Sequence, residues 1–132
     1  MLAMPGPPER RPEVSGNAVV LADAVPFEKV EWGLSKVLAG ASAVLPGVES
    51  DVVEFKITEY PPGYAHLGHV HPGQIEILWV LSGRGVHEDE NGNRTDFGVG
   101  HLVYIPADSY HANHNPFDEP LRVVVVKVPP TR

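Results

Sequence analysis

Four side chains stand out for the chemistry they can do together: His69, His71, Glu76 and His111. His69 and His71 are two residues apart. On an extended strand, residues i and i+2 share a face, so both imidazoles project into one space. Pro72-Gly73 then permits a turn. Glu76 opens the next apolar run, close enough to return a carboxylate to that space. His111 follows forty residues after His71, just beyond Pro106, which stops another apolar run. Three neutral imidazoles and one carboxylate form an N3O donor set. It suits one divalent transition metal ion: Fe, Mn, Co, Ni, Cu or Zn. Four protein ligands on an ion that prefers five or six leave positions open for water, substrate or dioxygen. Two histidines at i and i+2 are commonly solvated surface residues. The specific signal is the whole series Gly63, His69, His71, Glu76 and Gly83, with a third histidine in a second block.

Other polar groups are candidates for proton transfer or substrate contact. Tyr64, Tyr110 and His66 are the expected catalytic candidates, and Glu59 is a further possible base. His66 falls in a loop before the first ligand. His87 is expected on an outer hairpin and His101 in a turn. His114 lies three residues after His111, an odd offset that sends it to the opposite face of a strand. Leu78 and Val80 share the face of Glu76, so Trp79 faces the other way, toward an outer layer or a partner subunit. Phe55 and Ile57 share the apolar face of their strand and are expected to line the interior. Few ionisable groups besides the ligands are expected to point inward, so the cavity should be mostly apolar.

The elements that must position these groups are strands. Val53, Phe55 and Ile57 alternate with Glu54, Lys56 and Thr58, the period of a half-buried strand. Pro61-Pro62-Gly63 ends it. The run IEILWVL stops at Ser82-Gly83, where a tight bend suits glycine. Asn91-Gly92 is a strong hairpin signal. Leu102–Ile105 is another strand, and Leu121–Val128 reads as a buried central one. Ala18–Leu21 and Phe27–Trp32 read as two short strands. Gly33–Pro46, rich in Ala, Gly and Ser, reads as a loop or helical turn. At least seven strands and almost no helix result, and closing them into a barrel removes their exposed edges.

Composition bounds the rest. The 132 residues suffice for one domain, with residues 1–16 read as a flexible N-terminal arm and 17–132 as a single barrel. Seventeen acidic against ten basic residues leave a net charge of −7. No basic patch suggests nucleic acid, and no basic amphipathic helix or long apolar run suggests a membrane. The first residues lack the apolar core of a secretory signal. There is no cysteine, which excludes thiolate ligands and disulfides and fits a cytoplasmic location.

Two stretches resemble the two motifs of the cupin superfamily. The first is Gly63–Gly83 (GYAHLGHVHPGQIEILWVLSG), and the second is Gly100–Asn115 (GHLVYIPADSYHANHN), where Gly100, Pro106, His111 and Asn115 fall at the family's spacings. One position departs, with Asp108 where the family usually has glycine. The resemblance covers about residues 50–128. It implies an all-β fold, the cupin double-stranded β-helix (jelly-roll type) barrel of the small single-domain cupin-2 type. It also implies His69, His71, Glu76 and His111 as metal ligands, and a homodimer.

Three activities are compatible with such a site acting on a small-molecule substrate. The resemblance leans toward a dioxygenase, an oxidoreductase that binds substrate at an open position of a redox-active metal. A non-redox isomerase, epimerase, lyase or cyclase would use the metal as a Lewis acid to polarise a carbonyl. A non-catalytic ligand-binding module would need no turnover. A fold of this kind hosts many functions, so the site must choose among them.

Overall fold

The β-branched run near the C-terminus sits in the middle of a sheet, where such runs are expected. The structure is a computed structural model and describes residues 18–43, 45, 47–65 and 68–129. The N-terminal arm expected over residues 1–16 lies outside them, as does His66. In chain order the strands are β1 (Glu28–Val30), β2 (Gly33–Ala39), β3 (Glu54–Tyr60), β4 (His69–Val70), β5 (Ile75–Ser82), β6 (Arg84–Glu88), β7 (Arg94–Gly98), β8 (Leu102–Ile105), β9 (Tyr110–His114) and β10 (Leu121–Val128). A six-stranded sheet runs β1-β2-β3-β10-β5-β8, and a four-stranded sheet runs β4-β9-β6-β7. Every pairing is antiparallel. The fold is the expected all-β double-stranded β-helix. Among the described residues no helix is long and apolar enough to cross a membrane.

The main core joins the two sheets. Leu78, Val80, Val103, Ile105, Leu121, Val123 and Val125 of the larger sheet pack with Phe97 of the smaller one. Leu78 and Val80 face inward as their parity with Glu76 requires, and Trp79 faces out. The Asn91-Gly92 hairpin forms between β6 and β7, with the Asp89 carboxylate accepting N–H bonds from Asn91 and Asn93. Gly83 turns β5 into β6 at φ +83, and a side chain there would run into the Pro120 carbonyl.

The N-terminal third departs from the sequence expectation. Ala18–Leu21 is not a strand and leads into a single 3-10 turn at Ala22–Ala24. The strand expected over Phe27–Trp32 is confined to Glu28–Val30, and Trp32 lies in the turn that follows. Gly33–Ala39, expected as loop or helical turn, is a seven-residue strand. Its Gly, Ser and Ala favour strands weakly, but β2 pairs with β1 on one side and β3 on the other. Ladder bonds to two neighbours outweigh a local preference of this size.

The more consequential correction concerns which face of β3 points inward. Phe55 and Ile57 do not line the barrel. They pack outward with Val20, Val25, Phe27, Leu38 and Val124 in a second apolar cluster. Lys56, Thr58 and Tyr60 take the interior face. The alternation holds, but its sense is reversed. The chain before β3 covers the outer face of this sheet, so the apolar side chains find their partners outside.

Asn115, the last residue of the second motif, ties three segments together. It is fully buried. Its Nδ2 lies 3.2, 3.1 and 2.8 Å from the carbonyls of Tyr60, Pro61 and Glu119, and its Oδ1 accepts from the Phe117 N–H. Its backbone N–H donates to the Tyr64 carbonyl. Removing the amide leaves buried carbonyls without donors. Asn115→Ala is expected to lower stability by roughly 2–4 kcal/mol, read as a shift of the urea midpoint at unchanged slope. A wild-type midpoint would show that these contacts contribute nothing net.

Candidate metal centre

Two short loops bring the donor residues together. β4 is only two residues long and pairs with β9, with His69 opposite His111 and Val70 opposite Tyr110. Gly68 precedes it, and a side chain there would collide with the Tyr110 ring. After β4 the chain turns at Pro72-Gly73. This turn is latched to the one before β9: the Asp108 N–H donates to the His71 carbonyl, and the Gly73 N–H donates to Asp108 Oδ1 at 3.0 Å. Asp108 has φ +63, the one non-glycine residue with positive φ among those described. A short polar side chain tolerates that conformation, and here it also supplies the latch. The Asp in place of the family's glycine therefore keeps the turn and adds a bond to it.

The four side chains expected as ligands converge. Glu76 and His111 are buried, and His69 and His71 are partly buried. His69 Nε2 lies 2.7 Å from His71 Nε2. Glu76 Oε1 lies 2.9 Å from His71 Nε2 and 3.5 Å from His111 Nε2. One donor atom from each of the four residues lies within 4.8 Å of all the others. Two neighbouring donors about 2.1 Å from one ion stand about 3 Å apart, and opposed ones about 4.2 Å. The spacing therefore fits an ion. Glu76 Oε1 is buried and, despite its nearness to His71, makes no aligned hydrogen bond. The group is aimed at a shared centre more than at its neighbours.

Electrostatics point the same way. Burial alone would raise the Glu76 carboxyl, but the His71 contact and the charges of His71, His111 and Lys127 hold it below its usual value. Burial pushes the His111 imidazole down to about 4, with Glu76 opposing and His69 and His71 adding to the shift. At neutral pH the site thus presents a carboxylate and a neutral His111, the protonation states that coordination needs.

The remaining candidates are dispersed. Tyr64 lines the main cavity beside His69. Tyr110 lies on the opposite face of β9 from His111, is more than one third exposed and does not line that cavity. Adjacent residues of a strand face opposite ways. Glu59 faces out and pairs with Arg122 at 2.7 Å. His101 accepts the Gly98 N–H in its turn, and His114 lies 3.1 Å from Glu88 on the far face, as its odd offset requires. His87 is a correction. It lies across from Asn113 in register, so it shares the face of His111 instead of an outer one. Its Nδ1 is 2.8 Å from Asn113 Oδ1, and its ring stacks 6.3 Å from that of His111. Val86 beside it takes the opposite face, across from His114.

Next to the donors lies a cavity of about 580 Å³ whose mainly apolar wall carries more ionisable groups than expected. Lys56, Lys127, Thr58, Tyr60, Tyr64, Glu31 and Trp32 line it with His69, His71, Glu76 and Val125. Reasoning from apolar alternation missed both lysines. The usable signal was parity: Lys127 is even-spaced from the buried valines Val123 and Val125.

Residues 56–127 match the family model described as Cupin domain. The chain belongs to the cupin family. No curated protein sequence matches it. Several solved structures share the barrel. The DMSP lyase DddQ from Ruegeria pomeroyi superposes with a TM-score of 0.67 at 20% identity, over 80% of this chain. This cupin spans only 57% of that lyase's length. A predicted oxalate decarboxylase from Thermotoga maritima gives a TM-score of 0.70 at 21% identity, over 86% of this chain and 100% of that one. A Cupin 2 conserved barrel domain protein from Salinispora arenicola gives 0.68 at 25% identity, over 85% and 87%. Likeness at this level establishes the fold and leaves the reaction to the site.

Two outcomes follow for this cupin. His69→Ala or His111→Ala should weaken binding of a divalent transition metal by more than about 100-fold, and Glu76→Gln should weaken it while leaving the fold intact. Elemental analysis of purified variants measures this, and full occupancy in either alanine variant contradicts the assignment. The metal-free protein should also lose stability on acidification. Below pH 6.5 an unfolded His111 takes up a proton that the folded site resists until about pH 4. Stability should therefore fall across that interval. Glu76, held low when folded, adds loss in the same direction at the acid end. Denaturation midpoints at a series of pH values test the slope, and a rise in stability toward pH 4 would contradict it.

Proposed function

We propose that this cupin is a metal-dependent enzyme acting on a small polar organic molecule, with the ion serving as a Lewis acid. The observation that carries this reading is a single cavity walled by His69, His71 and Glu76 on one side and by Lys56, Thr58, Tyr64 and Lys127 elsewhere. A divalent ion held by His69, His71, Glu76 and His111 would supply polarisation of a substrate carbonyl or carboxylate oxygen.

The chain's own groups supply the rest. Burial and the nearby Glu31 raise the Tyr64 phenol, so it stays protonated and offers a hydrogen-bond donor to substrate. Tyr60 is held in the same state by burial and by Glu76. Thr58, also buried, adds a hydroxyl that can donate or accept. Burial and the adjacent Lys127 lower Lys56, which moves its ammonium toward the range where a lysine exchanges protons with substrate. Trp32 and Val125 provide apolar wall.

The dioxygenase reading rests on the resemblance alone. Charged and hydroxylated walls favour a polar substrate and a group that moves protons, which suits isomerase or lyase chemistry better. The comparison that separates the readings is a panel of small oxygenated acids, sugars and lactones, followed by NMR with zinc-loaded and iron-loaded protein, with and without air. Turnover by the zinc form without oxygen is the expected result. Oxygen consumption coupled to turnover, seen only with a redox-active metal, would return the dioxygenase reading. A ligand retained unchanged in every condition would favour a binding module.

The homodimer belongs to the same proposal. Trp79 and Leu81 on β5 and Leu102 and Tyr104 on β8 are exposed on the outer face of the six-stranded sheet. β8 is also one of the two edge strands of that sheet. An apolar face beside an edge strand suits a second copy. Sedimentation should show a dimer that Trp79→Glu dissociates, and a monomeric wild type would end this part of the proposal.

A further inference from the structure

The two lysines of the cavity have no role in holding an ion. Lys56 on β3 and Lys127 on β10 both face the interior, with side chains only 13% and 14% exposed. Ammonium groups this enclosed are costly unless well paired. Their pairing is poor. Glu54 is the one carboxylate within 4 Å of either ammonium among the described residues, and a single oxygen serves both, at 3.7 Å from Lys56 and 3.8 Å from Lys127. Both distances exceed those of a charge-assisted hydrogen bond, about 2.7–2.9 Å.

The register explains how they come together. Lys127 lies opposite Glu54 on one side and opposite the ligand Glu76 on the other. Two strand positions away, on the same face, Lys56 lies opposite Val125, which lies opposite Leu78. The lysines thus occupy adjoining rows of the interior, Lys127 in the row that carries Glu76 and Lys56 in the next. The Trp32 ring lies beside Lys56, its centre 5.7 Å from Nζ. Glu31, Glu54 and Glu76 outnumber the two lysines by one charge in the metal-free chain, so a divalent ion leaves this cavity with one positive charge in excess. An acidic protein with net charge −7 then carries a locally cationic pocket. Such an arrangement draws anions inward from a surface that otherwise repels them.

We propose that Lys56 and Lys127 form a carboxylate-binding subsite next to the metal centre, so that the substrate is a small organic acid. Its carboxylate rests on the two ammoniums and its other oxygen function reaches the metal. The shared Glu54 oxygen is a built-in precedent, since it shows that one carboxylate can approach both ammoniums. This inference deepens the proposed function by naming the substrate class and shares its cavity, but the lysines can be tested without turnover.

The test is calorimetric binding of succinate, with its neutral diamide as control, to the zinc-loaded wild type and to Lys56→Gln and Lys127→Gln. Zinc content is measured on each sample. Succinate should bind, the diamide should bind at least about tenfold more weakly, and each substitution should cost about tenfold to a hundredfold in succinate affinity. Lys56→Gln, the more distant from Glu76 in register, should keep its zinc, and Lys127→Arg should restore much of the affinity. Equal binding of acid and diamide, or unchanged succinate affinity in both glutamine variants, overturns the proposal. If the wild type takes up no zinc, the metal reading fails by itself. The same series on the metal-free chain then decides the lysine subsite, where dependence on both lysines supports it and independence overturns it.

Discussion

The pairing of β4 with β9 is the interaction on which the site depends. It consists of two residue pairs, His69 with His111 and Val70 with Tyr110. Two pairs of an isolated ladder are weak, and the loop they close, residues 71–109, holds thirty-nine residues. The pairing is held because both ends are tied down elsewhere. Asp108 latches the turn after His71 to the turn before His111. Asn115 anchors the other end of β9 to the segment that leaves β3. The donors therefore meet in a preset geometry, and the ordering of the chain is already met by folding before any ion arrives.

The second constraint is that both faces of the six-stranded sheet near β3 are covered. The outer face lies under Val20, Val25 and Phe27, and the inner face bounds the cavity. In a one-sided sheet, Phe55 and Ile57 would have to face the core. Here the outer layer supplies them with partners, which frees the inner face for Lys56, Thr58 and Tyr60. The apolar core is displaced toward Phe97, Leu121 and Val123. A chamber that holds charged and hydroxyl groups and a sound core thus coexist in a small domain because they occupy different parts of one barrel.

How far the residues could be read depends on the distance over which each decision is made. His69, His71 and Glu76 lie within eight residues, and strand parity plus one turn constrains them locally. The hairpin at Asn91-Gly92 and the bend at Gly83 are decided by a few backbone angles and were legible for that reason. β2 was not, because its strand state comes from neighbours on both sides and not from its own Gly, Ser and Ala. His87 was not, because only the register with Asn113 decides its face.

By itself, then, the order of residues determined the class of fold, the strand-and-turn rhythm over most of the barrel and which His and Glu side chains gather into one group. Each of these follows from short-range geometry or from the chemistry of the side chains. Only the tertiary structure decided which face of β3 looks inward and that Lys56 and Lys127 meet beside Glu76. It also decided that Tyr110 turns away while His87 turns in. The physical reason is that alternation defines two faces without labelling them, and the label comes from whatever distant segment packs against each one.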